Sequence, residues 1–127
     1  MLVDDNWADL ELNCIALNRL NIPLNIQTFQ SGMPAINYLS DLQPGDPVPD
    51  LMVLDLHMPG LNGFQVLEIL RTENLKKFPV VICSTSMLNE DIVRSKQLGA
   101  DDFLQKPIGF KENIKVFKHL IGQFLPV

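Results

Sequence analysis

The chain has 127 residues, of which 46% are hydrophobic and 20% charged. That is enough apolar material for one domain with a real core, and it excludes a disordered chain. The net charge of -5 argues against nucleic acid as a direct partner, since phosphate binding wants a basic face. No apolar run approaches the ~20 residues of a membrane span, and the start has no secretory pattern.

In chain order, Met1-Leu2-Val3 is a short apolar strand closed by Asp4 and Asp5. Asp5 or Asn6 can cap a helix in which Leu10, Cys14, Leu17 and Leu20 recur at helical spacing, until Asn21 and Pro23 stop it. Leu24 to Phe29 alternates apolar and polar, which predicts a second strand near a sheet edge. Ser31-Gly32-Met33 opens a helix carrying Ala35, Ile36 and Leu39, and the Pro- and Gly-rich stretch from Asp41 to Asp50 is a surface loop. Leu51 to Asp55 predicts the third strand. Asn62 caps a helix bearing Phe64, Val66, Leu67, Ile69 and Leu70. Pro79 to Ser84 predicts the fourth strand, and Asn89 or Glu90 opens a helix with Ile92, Val93 and Leu98, closed by Gly99. Asp102 to Lys106 predicts a short fifth strand, and Lys111 to Phe124 the last helix. Cys14 and Cys83 fall in a helix and a strand. They read as small buried hydrophobes of a reducing cytoplasm, neither a disulfide nor a metal pair.

Strand and helix alternate five times, which calls for an α/β fold: a doubly wound, five-stranded parallel sheet covered by five helices. Units of this size fit the flavodoxin-like strand order 2-1-3-4-5, with every strand ending along one edge. Four strands end there in a polar group: Asp4-Asp5, Asp55, Ser84 and Lys106. An acid straight after four apolar residues, as Asp55 is, does not serve a core. Each of the other three alone is commonly a cap, a turn or a strand end; together they converge on one cavity. Three adjacent carboxylates call for a counter-charge. Carboxylates with a carbonyl and waters suit Mg²⁺. Asp55 could then act as a nucleophile toward phosphorus, with Mg²⁺ and Lys106 neutralising the phosphoryl oxygens and Ser84 donating a hydrogen bond.

These pieces also resemble a known family from end to end. Leu2 to Asn6, Leu54 to Gly63, Pro79 to Ser84 and Gly99 to Pro107 look like the receiver domain of two-component response regulators, of the stand-alone, chemotaxis-regulator-like kind. The resemblance implies a single receiver domain over 1–127 whose first strand is truncated. It implies that Asp55 accepts a phosphoryl group from a histidine kinase or histidine phosphotransfer protein, and that the protein catalyses only its own phosphorylation and dephosphorylation. It implies that Asp5, Asp55 and the backbone carbonyl of His57 bind Mg²⁺, with Asp4 acting through water. It implies that Ser84 and Lys106 contact the phosphoryl group, and that Ser84 and Phe103 form the switch, Phe103 turning inward as Ser84 moves. A downstream protein would then dock on the fourth helix, fifth strand and fifth helix, a surface that also suits a homodimer. The site thus implies a cytoplasmic signalling protein with no direct nucleic-acid or membrane partner. His57 and Ser86 occupy positions that tune phosphate lifetime in the family. Position 84 is Ser where Thr is commoner. The chain ends directly after the fifth helix, as expected for a stand-alone regulator or for a piece of a longer protein.

Three other functions were open on the residues alone. A phosphohydrolase of the haloacid dehalogenase type wants a second acid two residues past the nucleophile, where this chain has His57. A flavin-binding module wants a Ser/Thr/Gly-rich loop after the first strand, where Asp4 and Asp5 would repel a phosphate. A receiver-shaped interaction domain that takes no phosphate is disfavoured only because every chemical group is present. Trp7, two residues past Asp5, reads as a helix-start residue packed on the first turn, and His119 as solvated.

Overall fold

A computed structural model describes residues 1–125. Its elements in order are β1 (Leu2–Val3), α1 (Trp7–Asn18), β2 (Thr28–Phe29), α2 (Gly32–Ser40), β3 (Met52–Asp55), α3 (Gly63–Thr72), β4 (Val80–Ser84), α4 (Asn89–Gln97), β5 (Asp102–Gln105) and α5 (Phe110–Phe124). All strand pairs are parallel and the sheet order is β2-β1-β3-β4-β5, so the expected fold stands. None of the helices among the described residues is long and apolar enough to cross a membrane.

The register follows from the apolar runs. β3 and β4 are buried on nearly every residue because helices cover both faces, which is why they read as continuous runs rather than alternating ones. Val3, Leu54, Ile82 and Phe103 face one core with α2 and α3; Leu2, Val53 and Val81 face the other, with α1 and α5. Only Thr28–Phe29 of the expected second strand is paired. A strand needs a partner backbone, and β1 offers two residues, with Leu2 N–H donating to Gln27 O at 2.8 Å just beyond them. The Met1 ammonium donates to Leu51 O at 2.9 Å, and burial pushes its pKa down to about 6.

Two caps aim the chain around the sheet edge. Asn6 Oδ1 accepts the Asp9 N–H at 3.1 Å and starts α1 directly after Asp4-Asp5. Asn62 and Gln65 form a reciprocal capping box, each side chain accepting the other's backbone N–H at 2.9 Å, and this starts α3. Gly63 is required there: a Cβ at this position would lie 2.8 Å from Asp55 O and 2.9 Å from Leu56 Cα. That close approach lets the Gly63 N–H donate to Leu56 O at 2.8 Å, folding the loop back under Asp55.

α4 is held differently from the other helices. Ser95 is its one buried residue, and the Ser95 hydroxyl has no hydrogen-bond partner. Val93, read from sequence among the apolar residues of this helix, points outward, and Met87 and Leu88 are exposed beside it. The helix is tied to α3 by the Arg94 guanidinium, 4.2 Å from the centre of the Phe64 ring, and by Arg71 Nη1 donating to Gln97 O at 3.2 Å. Cys14 and Cys83 are free and partly buried, as expected of structural thiols, and burial pushes the Cys83 thiol up to about 12.

Candidate functional site

The polar strand ends meet at the C-terminal edge of the sheet, between the mouths of β1, β3 and β5. One carboxylate oxygen from each of Asp4, Asp5 and Asp55 lies within 4.8 Å of the others. Asp4 and Asp55 are both 6% exposed, while Asp5 is open to solvent. Asp4 is fixed from behind by the Asn6 N–H, which donates to its Oδ1 at 2.9 Å. Lys106 enters from the end of β5 and places its Nζ 2.9 Å from Asp4 Oδ2 and 3.6 Å from Asp55 Oδ1. The Lys106 N–H also donates to Ser84 O at 2.7 Å, which joins the ends of β4 and β5.

Electrostatics follow from that crowding. Burial first, then the neighbouring Asp4 charge, pushes the Asp55 carboxyl from its ordinary 3.8 up to about 7, against the pull of Lys106. Burial disfavours the Lys106 ammonium, yet its hydrogen bonds to Asp4 and to Asp9 win, and its pKa is raised. The site is therefore an acid cluster with less cation than it needs. Three converging carboxylates, one with its proton held this high, fit a hard divalent cation. The residues that could hold it are Asp4, Asp5 and Asp55.

Ser84 is fully buried at the end of β4, one residue beyond Cys83, the register partner of Asp55. Its Oγ accepts the Ser86 N–H at 3.3 Å, and the Ser86 hydroxyl itself is buried without a partner. Phe103 is 5% exposed and packs with the α2–α3 core, so the inward orientation is the one seen here. His57 is exposed on the loop after β3, between the buried Leu56 and Met58. His119 is exposed on α5, as expected. Trp7, the first residue of α1, is 62% exposed rather than packed away.

Sequence reading missed Asp9, whose Oδ2 lies 3.0 Å from Lys106 Nζ. An acid in the first turn of a helix is favoured by the helix dipole alone, which masks any other use. Spacing does not give the contact either, because Asp5 lies before the N-cap Asn6 and outside the helix whose first turn carries Asp9.

The response regulator receiver domain family matches residues 1–118. This chain is a receiver domain. It is 33% identical over 114 residues to the probable methanogenesis regulatory protein FilR2 of Methanothrix harundinacea, covering 88% of this chain and 74% of that one. It is 30% identical over 129 residues to the phosphate regulon transcriptional regulatory protein PhoB of Escherichia coli, covering all of this chain but 53% of PhoB. The receiver domain therefore spans about half the length of that relative. Among solved structures it is similar to the phosphorylated cyanobacterial phytochrome response regulator RcpA, with a TM-score of 0.86, 34% identity and coverage of 98% and 91% of the two chains. It is also similar to the Mn²⁺-bound form of response regulator Rcp1, with a TM-score of 0.82, 29% identity and coverage of 99% and 94%. The domain is a signalling phosphoacceptor, and its acid cluster is of the kind that takes a divalent metal.

Proposed function

We propose that this receiver domain is phosphorylated on Asp55 in a Mg²⁺-dependent reaction, and that the phosphoryl group switches a protein-docking surface. The observation that carries the reading is the convergence of Asp4, Asp5, Asp55 and Lys106 on one pocket at the sheet edge. The phosphoryl donor is a histidine kinase or histidine phosphotransfer protein. A lone pair on an Asp55 carboxylate oxygen forms the new O–P bond. The P–N bond of the donor phosphohistidine breaks, its electron pair returning to the imidazole. Asp5, Asp55 and the His57 carbonyl, with Asp4 through water, would hold Mg²⁺, which would supply positive charge to the transferring group. The Lys106 ammonium offers a second positive charge, and the Ser84 hydroxyl donates a hydrogen bond once it leaves the Ser86 N–H.

Phosphorylation adds roughly -1.5 to -2 charges and three acceptor oxygens beside Asp55. Ser84 and Phe103 are the switch, and both side chains are buried in this structure. The readout surface is α4, β5 and α5, available to a downstream protein or to a second copy of the chain. Residues 1–127 act as one cytoplasmic receiver domain whose only catalysis is its own phosphorylation and dephosphorylation.

Acetyl phosphate with Mg²⁺, followed by intact mass, tests the assignment. Wild type gains one phosphoryl group and Asp55→Asn gains none. A gain of the same size in Asp55→Asn would refute Asp55 as acceptor.

A further inference from the structure

The geometry points to Asp9 as a positioning residue that holds Lys106 back from the acceptor and competes with the phosphoryl group for its ammonium. The inference rests on Asp55 being that acceptor. Lys106 Nζ has three N–H donors. Two are taken at hydrogen-bond distance, by Asp4 Oδ2 at 2.9 Å and Asp9 Oδ2 at 3.0 Å, while Asp55 Oδ1 lies beyond that range at 3.6 Å. The third N–H is open to a phosphoryl group on Asp55, and an ammonium that shifts toward that group lengthens one of the two bonds it already makes. The Asp4 side chain is 8% exposed and is anchored by the Asn6 N–H, so releasing it strands a buried charge. The Asp9 side chain is 36% exposed at the outer rim, so water replaces Lys106 there at small cost. A pocket of about 60 Å³ adjoins the cluster, with Asp4, Asp9, Asp55 and Lys106 among a lining that is otherwise largely apolar. Asp9 is also a fixed negative charge on the rim, and it favours the state in which Asp55 carries the smaller charge. It acts as a latch on the resting state.

The test is the affinity for beryllofluoride, a phosphoryl mimic, at fixed Mg²⁺, read by ¹⁹F NMR titration. Asp9→Asn binds the mimic roughly two- to fivefold more tightly, the scale of a partly exposed ion pair. Asp9→Glu, which keeps the charge, returns toward wild type. In a Lys106→Ala background the gain from Asp9→Asn shrinks to less than half, a coupling that a purely structural role for Asp9 would not produce. Equal or weaker binding by Asp9→Asn overturns the latch. So does a gain that persists in full without Lys106. Failure of wild type to bind the mimic at all is a different outcome: it overturns the acceptor assignment and the latch with it.

Discussion

The Asp55 carboxyl makes the metal-free protein less stable at neutral pH than in mild acid, and Asp55→Asn removes the effect. The sign follows from proton counting. Between pH ~4 and ~7 the folded protein keeps a proton on Asp55, with its pKa raised to about 7, which the unfolded chain has already lost. Stability from this group therefore falls as pH rises across that window and levels off above it. Moving a carboxyl from 3.8 to about 7 corresponds to at most about 4 kcal/mol. The cluster opens to solvent through Asp5 and is shared with Lys106, so screening brings the expected effect down to about 1–2 kcal/mol. For a domain of this size that is roughly 4–10 °C in Tm. Urea titrations in EDTA at pH 5, 6, 7 and 8 read it directly. Asp55→Asn should exceed wild type by about 1–2 kcal/mol at pH 8 and by less than half as much at pH 5, where the folded carboxyl still keeps its proton. A difference between the two proteins that does not change with pH, or one that grows toward acid, would show that the carboxylates are not in conflict.

Two further outcomes follow from the loop and the metal site. Gly63→Ala should lose about 1–3 kcal/mol in denaturant unfolding, since its Cβ meets backbone 2.8 Å away, and should weaken Mg²⁺ binding because the strain falls on Asp55 and Leu56; an unchanged midpoint would mean the loop adjusts freely. Saturating Mg²⁺ should stabilise wild type and alter the fluorescence of Trp7, which stands two residues past Asp5, while removal by EDTA reverses both; a spectrum indifferent to Mg²⁺ counts against Asp5 as a ligand.

The site was legible in the sequence where chemistry sits at the end of a strand. Asp4, Asp5, Asp55, Ser84 and Lys106 each close an apolar run, and a parallel sheet brings run ends to one edge. The order of strands was legible for the same reason, from the alternation of short apolar runs with helical spacing. What depended on partners was harder to read. Leu24–Gln27 has the alternation of a strand but lacks enough neighbouring backbone to pair with. Val93 has the hydrophobicity of a core residue but sits on the outer side of a helix that faces inward with Ser95 and the half-buried Ile92. Asp9 joined the site only because α1 turns Asp9 toward the end of β5, a long-range fact that spacing within one helix does not state.

The thin seating of α4 bears on how a signal can leave the molecule. An element whose one fully buried side chain is a small serine, with Ile92 half-buried, one Arg71 hydrogen bond and a guanidinium resting on a ring, has little cohesion to lose when it slides. Its outward Met87, Leu88 and Val93 then ride on the softest part of the architecture, so a modest local push at the acceptor can redraw what a neighbour feels on the far side of that helix.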